Sequence, residues 1–133
     1  MLKLEIVTPE RRILDAEVDS VTVPTASGEA GILPHHASMV SALKPGILTY
    51  ITKGVATRLA VSGGFIEVNS DKVAILADTA ETAEEIDVDA ARSGRDEAEK
   101  AFVAIAVGSL EETEHARDHL DAANVRLQLA TGK

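Results

Sequence analysis

The sequence predicts an α+β protein in which a strand-rich N-terminal half is followed by a helical C-terminal half. All four prolines lie before residue 85, where β-branched residues and glycines are frequent, whereas Ala, Glu, Asp and Arg dominate after it. β-Branched residues favour strands, and the later composition favours helices. Turn signals every 8–12 residues in the first half are typical of a sandwich or a barrel. We therefore divide the 133 residues into a β domain, 1–84, and a helical domain, 85–133.

Short alternating segments predict the strands of the first half. Residues 2–7 place Leu2, Leu4 and Ile6 on one face, and Thr8-Pro9-Glu10 ends the segment. Further strands are predicted at residues 19–24, 47–52, 55–62, 64–68 and 72–77. Turn residues cluster at 25–31 and 44–46, and two tight β-hairpins are predicted, at Lys53-Gly54 and at residues 69–71.

Two helices are predicted in the second half. Asp87 or Asp89 caps the first helix, which runs to about residues 102–106 before a break at Val107-Gly108. Ser109 is followed three residues later by Glu112, the spacing of a capping box that begins the second helix. Steps of three and four place one set of residues on a common seam: Ala91, Ala98, Phe102 and Ile105 on the first helix, and Thr113, Ala116, Leu120, Ala123, Leu127 and Ala130 on the second. The sequence therefore predicts an antiparallel two-helix hairpin.

The alanine content of this seam predicts a marginally stable helical hairpin. A buried Leu or Ile contributes about 1.5–3 kcal/mol, whereas one methyl group contributes only about 0.8 kcal/mol. We expect such a pair of helices to detach from the sandwich without unfolding it.

Composition excludes several classes of function. The formal net charge of −9 disfavours nucleic acid and anionic lipid as direct partners, because both are bound through clustered Lys and Arg. The absence of cysteine excludes disulfides, thiolate catalysis and cysteine-ligated zinc. No segment approaches the roughly 20 apolar residues of a membrane span, and no signal peptide is predicted. We expect a soluble protein with no inserted segment.

The histidines do not form a convincing chemical site. His35 and His36 follow Pro34, and neighbouring side chains on an extended chain point in opposite directions, so they form a poor metal pair. A loop histidine that contacts a partner protein is the favoured interpretation. His115 and His119 share one helical face but lack a third ligand, so we expect them to face solvent. Phosphate-binding loops and nucleophile motifs are absent, and the glycines of residues 62–64 predict a turn or a close backbone approach. These observations predict a binding or regulatory module without metal or catalytic residues.

Residues 27–46, SGEAGILPHHASMVSALKPG, closely resemble the signature of the epsilon subunit of F-type ATP synthases, which is roughly SG-x-x-GI-x-P-x-HAP. Residues 61–65, VSGGF, resemble the SGG segment of that family, and residues 73–80, VAILADTA, resemble its VTVLADTA strand. The N-terminal LEIVTPERRILDAEVDSV is similar to its opening strand and turn. The resemblance covers essentially the whole chain, and Ser38 stands where the family usually has Pro.

The resemblance implies a ten-stranded β-sandwich followed by a helical hairpin. It also implies a non-catalytic rotor subunit of a proton-translocating synthase, although the sequence leaves sodium open as the coupled ion. Its sandwich would bind the gamma shaft and sit on the c-ring loops, on the cytoplasmic side of a bacterial plasma membrane. Glu29 would face the c-ring and His36 would face gamma, and Met39 would be a further partner-binding residue. The catalytic beta subunit would be a transient partner.

The resemblance further implies that the helical hairpin is a regulatory arm, which permits turnover when folded down and blocks ATP hydrolysis when extended. Residues 87–133 carry ten acidic and six basic side chains, a net charge of −4. Inhibitory arms of the family meet an acidic segment of the beta subunit, so we expect weak or absent inhibition.

ATP is a further ligand that the resemblance suggests, because some bacterial relatives bind it through the pattern I/L-D-x-x-R-A and additional arginines. Residues 88–93, VDAARS, keep Asp89 and Arg92, while Arg117 and Arg126 would supply positive charge. Alternatively, Asp89 caps the helix and Arg92 is a surface residue. Two other functions therefore stay open: a nucleotide-sensing module that uses the helical hairpin, and a small hydrolase that uses the histidines. The missing catalytic motifs disfavour the hydrolase, and no bound cofactor is expected.

Overall fold

A computed structural model describes residues 1–105 and 109–132. Ten strands form two sheets, and two helices follow them, which confirms the predicted α+β order. The elements are β1 Leu2–Val7, β2 Arg12–Val18, β3 Ser20–Thr25, β4 Gly28–Ile32, β5 Met39–Ala42, β6 Gly46–Thr52, β7 Val55–Ser62, β8 Phe65–Asn69, β9 Lys72–Leu76, β10 Thr79–Thr82, α1 Val88–Ala104 and α2 Leu110–Thr131.

The two sheets form a sandwich around one apolar core. Sheet A has the order β2-β1-β9-β8-β5, and its β1 and β9 run parallel. Sheet B has the order β10-β7-β6-β3-β4 and is antiparallel throughout. Leu2, Leu4 and Ile6 are fully buried, as the alternation of residues 2–7 predicted. The core contains buried aliphatic residues from both sheets, so each strand contributes one of its two faces.

The prediction of a turn over residues 25–31 was wrong for most of that range. Ala26 and Ser27 form the turn, and Gly28–Ile32 is the strand β4, which pairs with β3. The strands β2, β5 and β10 were likewise not predicted from their own patterns. The predicted hairpin between β6 and β7 is confirmed, since Lys53 (φ 51°) and Gly54 (φ 79°) both adopt the positive φ of a type I′ turn.

The helices begin where capping residues satisfy their first backbone N–H groups. Asp87 caps α1, because its Oδ1 accepts a hydrogen bond from the Ala90 N–H at 3.1 Å, and Asp89 lies within the first turn. Ser109 caps α2 as predicted, with its Oγ accepting from the Glu112 N–H at 3.1 Å. The predicted break at Val107-Gly108 lies outside the described residues. The predicted seam is confirmed, since each of its members is buried or half-buried.

The helical hairpin packs against sheet B through α2. A second, smaller apolar cluster joins Ala60 of β7 and Ile86 to Ala91 of α1 and Leu129 of α2. Neither α1 nor α2, over the residues that the structure describes, is long and apolar enough to cross a membrane.

A 3-10 turn, Ala83–Glu85, connects the sandwich to α1, and the Glu85 side chain ties it to two residues of the sandwich. The Glu85 carboxylate accepts a hydrogen bond from the Thr82 backbone N–H at 3.1 Å and another from the Arg11 guanidinium in the β1–β2 turn. The Thr82 N–H makes the largest contribution and Arg11 the next, and together they lower the pKa of Glu85 below its ordinary 4.5. The charged form of Glu85 is therefore the one that fixes the connector.

Replacing Arg11 with alanine should raise the pKa of Glu85 only part of the way to 4.5, because the Thr82 hydrogen bond remains. Since the folded state lowers this pKa, the stabilisation is complete above the unfolded-state value and is lost as the pH falls through the folded-state value. NMR titration of the side-chain carboxyl carbon measures the shift. The matched control is Arg12→Ala, whose guanidinium pairs instead with Glu5 and Asp15 and should leave Glu85 unchanged. An unchanged pKa in Arg11→Ala would contradict the assignment.

Candidate functional site

The two adjacent histidines lie in a tight turn between the sheets. The turn runs from Leu33 to His36, closed by a hydrogen bond from the His36 N–H to the Leu33 carbonyl at 3.2 Å. His35 has a φ of 67° at the third position, and Pro34 precedes it, as in a type II turn. The His35 N–H also donates to Asp71 Oδ1 at 2.8 Å. His35 therefore holds the turn against the β8–β9 hairpin.

His36, the predicted partner contact, is half-buried beside this turn. Its Nδ1 lies 2.7 Å from the carbonyl oxygen of Ala37. A carbonyl oxygen only accepts, so Nδ1 carries the hydrogen and the ring is held in one orientation. In the neutral ring, Nε2 is then the acceptor available to a partner.

The other two predicted partner residues lie on edge strands on either side of this loop. Met39 begins β5 at the edge of sheet A, and its half-buried side chain packs against the sandwich core. Val40, the next residue, is exposed. Glu29 is exposed on β4, the edge of sheet B, opposite Pro24. The structure therefore brings His36 and Met39 to the start of β5, whereas Glu29 lies near the far end of β4.

The outer face of sheet A carries an apolar surface that sequence reasoning missed. Phe65 of β8 pairs with Leu76 of β9 on one side and with Ala42 of β5 on the other, and Leu76 pairs with Val7 of β1. Phe65 is 57% exposed and Leu76 is 50% exposed, while Val40, on the same face, is 72% exposed. We call these five residues the outer patch. The apolar row runs through Ala42, Phe65, Leu76 and Val7, while Val40 lies beside it, opposite the exposed Glu67. Grouped exposed apolar residues mark an interaction site more often than an isolated exposed side chain does.

Charged residues border the outer patch on β1 and β2. Arg12 lies 3.7 Å from the Glu5 carboxylate and 3.6 Å from Asp15, and Lys3 lies 4.0 Å from Asp15. All four side chains are at least partly exposed. An apolar centre with a polar rim is the arrangement found in protein interfaces, so the face is suited to binding another protein.

The residues predicted to bind nucleotide are spread over the helical hairpin. Asp89 and Arg92 lie one turn apart on the exposed side of α1. The Arg117 guanidinium lies 5.5 Å from the centre of the Phe102 ring. Arg126 borders a cleft of about 410 Å³ between the helices and sheet B. Its guanidinium is already hydrogen-bonded to the Glu81 carboxylate. Of these four residues, only Arg126 lines the cleft.

The capping residue of α1 also shows a second way to align the ATP-binding pattern of the relatives with this chain. The pattern I/L-D-x-x-R-A fits the chain two residues earlier, with the buried Ile86 first and the capping Asp87 second. In that register Ala90 stands at the arginine position and Ala91 at the last position. Nucleotide binding by this chain stays a prediction.

His115 and His119 are exposed on α2, as predicted. Among residues 1–105 and 109–132, no group of three or more His, Cys, Asp or Glu side chains is arranged to hold a metal ion.

Known proteins similar to this chain match both its fold and its sequence. The family described as "ATP synthase, Delta/Epsilon chain, beta-sandwich domain" matches residues 1–83. The ATP synthase epsilon chain of Herpetosiphon aurantiacus is 46% identical over 129 residues, which are 97% of this chain and 93% of the relative. The epsilon chain of Moorella thermoacetica is 51% identical over 100 residues, 74% of this chain and 75% of the relative.

Two solved structures share the fold. A chain of the Euglena gracilis mitochondrial ATP synthase, in a structure of OSCP, F1 and c-ring, superposes with a TM-score of 0.78 at 28% identity, covering 98% of this chain and 81% of that one. A chain from the Tetrahymena thermophila mitochondrial synthase has a TM-score of 0.63 at 16% identity, covering 98% of this chain and 94% of that one, and shows the likeness of fold alone. The sequence and structural matches together show that this chain belongs to the ATP synthase delta/epsilon family, as an epsilon-type, non-catalytic subunit.

Proposed function

We propose that this chain is the central-stalk subunit that joins the gamma shaft to the c-ring in a proton-translocating ATP synthase. Family membership places it in the synthase complex. The single observation that carries the assignment of surfaces is the outer patch, a permanent apolar face on an otherwise acidic protein. A subunit that stays bound to a shaft through many turns needs such a face, because stable interfaces have an apolar centre.

The gamma surface in this proposal runs from the histidine turn onto sheet A. His36 is followed by β5, whose Val40 lies at one side of the outer patch. Leu33, at the start of the turn, is also exposed and adds apolar area. His36 would accept a hydrogen bond at Nε2, while Phe65 and Leu76 would supply the apolar contact. Met39 would act indirectly, because it fixes the start of β5 against the core.

The c-ring surface in this proposal lies at the edge of sheet B. Glu29 is exposed there, and β4 has a neighbouring strand on only one side. An exposed carboxylate on such an edge suits contact with the polar loops of another protein. The chain would then be peripheral on the cytoplasmic side of a bacterial plasma membrane, reached through its partners. The helical hairpin would be a regulatory arm, with the beta subunit as its transient partner and with weak inhibition because of its net charge of −4.

Replacing His36 with alanine should weaken binding to the cognate gamma subunit about tenfold, since one hydrogen bond and its packing are lost. Titration calorimetry with purified gamma measures this change. The matched control is the adjacent His35→Asn, which keeps a residue that tolerates positive φ in the turn and should bind normally. Glu29→Ala should leave gamma affinity unchanged and weaken binding to the gamma–c-ring assembly. Absence of wild-type binding to gamma at micromolar concentration would overturn the proposal.

A further inference from the structure

Outward-facing side chains of sheet A form three rows that run across the strands. Paired residues on neighbouring strands lie side by side on one face of a sheet, so the register of the sheet defines each row. The apolar row, which ends at an arginine, contains Arg12, Val7, Leu76, Phe65 and Ala42. The acidic row beside it contains Asp15, Glu5, Ala74, Glu67 and Val40. The basic row, with two adjacent lysines, contains Glu17, Lys3, Lys72 and Asn69. The face therefore changes from apolar to acidic to basic along its strands.

The carboxylates of the acidic row differ in their ion pairs. Arg12 pairs with the two carboxylates that lie on β1 and β2, so a guanidinium already balances that end of the row. Glu67 lies at the other end, between Ala74 of β9 and the exposed Val40 of β5. Within residues 1–105 and 109–132, Glu67 takes part in no ion pair. It is therefore an exposed carboxylate with an apolar neighbour on each side.

Covering the outer patch removes water from Glu67. Phe65 and Glu67 are two residues apart on β8, so their side chains point to the same side of the sheet. Val40, which belongs to the outer patch, is directly opposite Glu67 on β5. A partner that packs on Phe65 and Val40 therefore covers the carboxylate as well. A carboxylate that loses its water opposes binding unless a cation meets it, so a stable partner must place a Lys or an Arg at this point.

We propose that Glu67 orients the gamma subunit on this face by pairing with a Lys or Arg of gamma, while a neighbouring apolar segment of gamma covers the apolar row. The pair supplies specificity, because a surface with an uncharged or acidic residue at that place leaves the Glu67 carboxylate without a partner. The order of the rows supplies direction, since a gamma surface rotated by half a turn would lay its apolar segment on Lys3 and Lys72. This inference rests on the proposed function, since gamma is the occupant, and adds the residue that sets its position.

A second copy of this chain is a poorer occupant for the same face. Each chain carries a net charge of −9, so two copies repel each other. Arg12 and Lys3 of a second copy are also already paired with carboxylates beside them. Charge complementarity therefore favours a partner that exposes a basic residue next to an apolar one.

Replacing Glu67 with glutamine should weaken binding to purified gamma about tenfold, because the side chain keeps its shape and loses its charge. Glu67→Lys should weaken binding about a hundredfold or more, because two cations then meet. Titration calorimetry measures both losses. Raising sodium chloride from about 0.05 M to about 0.5 M should slow the association of the parent chain with gamma more than that of Glu67→Gln. The side chain is exposed, so both variants should keep the fold, which circular dichroism checks.

Glu17→Gln and Glu17→Lys are the matched controls. They make the same changes to an exposed carboxylate on the same face, but in the basic row and on the edge strand β2. Both controls should bind gamma normally. In a scan that changes each exposed Lys and Arg of gamma to Glu, one substitution should restore tight binding of Glu67→Lys and so identify the residue that meets Glu67.

Unchanged gamma affinity in both Glu67 variants overturns the inference, and so do equal losses in Glu67→Lys and Glu17→Lys. Sedimentation velocity of the free variants tests the second copy as occupant. Self-association of Glu67→Gln with unchanged gamma affinity would mean that the carboxylate keeps copies apart, which overturns the inference as well. In each of these cases, loss of gamma binding on replacing Phe65 with aspartate would still support the proposed function. Absence of binding between the parent chain and gamma would overturn both.

Discussion

Replacing Phe65 or Leu76 with aspartate is expected to weaken binding to the cognate gamma subunit about a hundredfold or more. Phe65 and Leu76 are 57% and 50% exposed, so covering what remains contributes about half of the roughly 1.5–3 kcal/mol of complete burial, and that contribution is lost. The new carboxylate also loses water on binding, which costs further free energy unless a cation meets it. A hundredfold change corresponds to about 2.7 kcal/mol, within the sum of the two effects. Titration calorimetry with purified gamma measures the loss.

The sandwich should remain folded in both variants, because each side chain points away from the core. The matched control is Val55→Asp, which places the same charge at a 66% exposed apolar position in the β6–β7 hairpin of the other sheet. This control should bind gamma normally. Equal losses in Phe65→Asp and Val55→Asp would show that the outer patch is not the interface.

Gly64→Ala is expected to have the largest effect on stability, a loss of about 3 kcal/mol or more. Gly64 has a φ of 88°, and a Cβ there would lie 1.8 Å from the Leu76 carbonyl oxygen, a backbone atom that belongs to β9. Positive φ in an alanine and a forced backbone shift each cost about 1–3 kcal/mol. Urea unfolding followed by circular dichroism measures the loss.

Gly54→Ala separates the two costs. Gly54 has a comparable φ of 79°, but nothing lies within 4 Å of the added Cβ. Only the backbone conformation is strained, and we expect a loss of about 1 kcal/mol. If Gly64→Ala and Gly54→Ala had the same free energy of unfolding, the close approach between Gly64 and β9 would not contribute to the loss.

The central elements could be predicted from local pattern, whereas the edges of the sheets could not. Residues 2–7 form an inner strand of sheet A with one face buried, so apolar and polar residues alternate regularly along it. By contrast, β4 buries only Ile32, and its Gly28 and Gly31 suggest a turn. In β10, Ala80 is the only fully buried residue. Strands at an edge have one pairing neighbour and less covered surface, so their sequences are less constrained. The count of ten strands therefore came from the family resemblance.

The outer patch had a signal in the sequence that was not used. In β8, the alternate residues Ile66 and Val68 are buried, and Phe65 lies on the opposite, exposed face of the strand. In β9, Val73 and Ile75 are buried, and Leu76 again lies on the exposed face. An apolar residue on the outward phase of two adjacent strands predicts a contact surface. The Arg126–Glu81 pair had no such signal, because it joins residues 45 positions apart.

The parallel pairing of β1 with β9 has a consequence for the order in which the chain folds. The first strand cannot complete its pairing until residues 72–76 have been synthesised, so more than half of the chain must leave the ribosome before sheet A closes. Until then, one edge of the β1–β2 pair stays open, and such edges promote association between nascent chains. Contacts between residues this distant in sequence also slow folding, so the sandwich should fold more slowly than the helical hairpin. A nascent chain of this protein is therefore most exposed to aggregation before its C-terminal third is made.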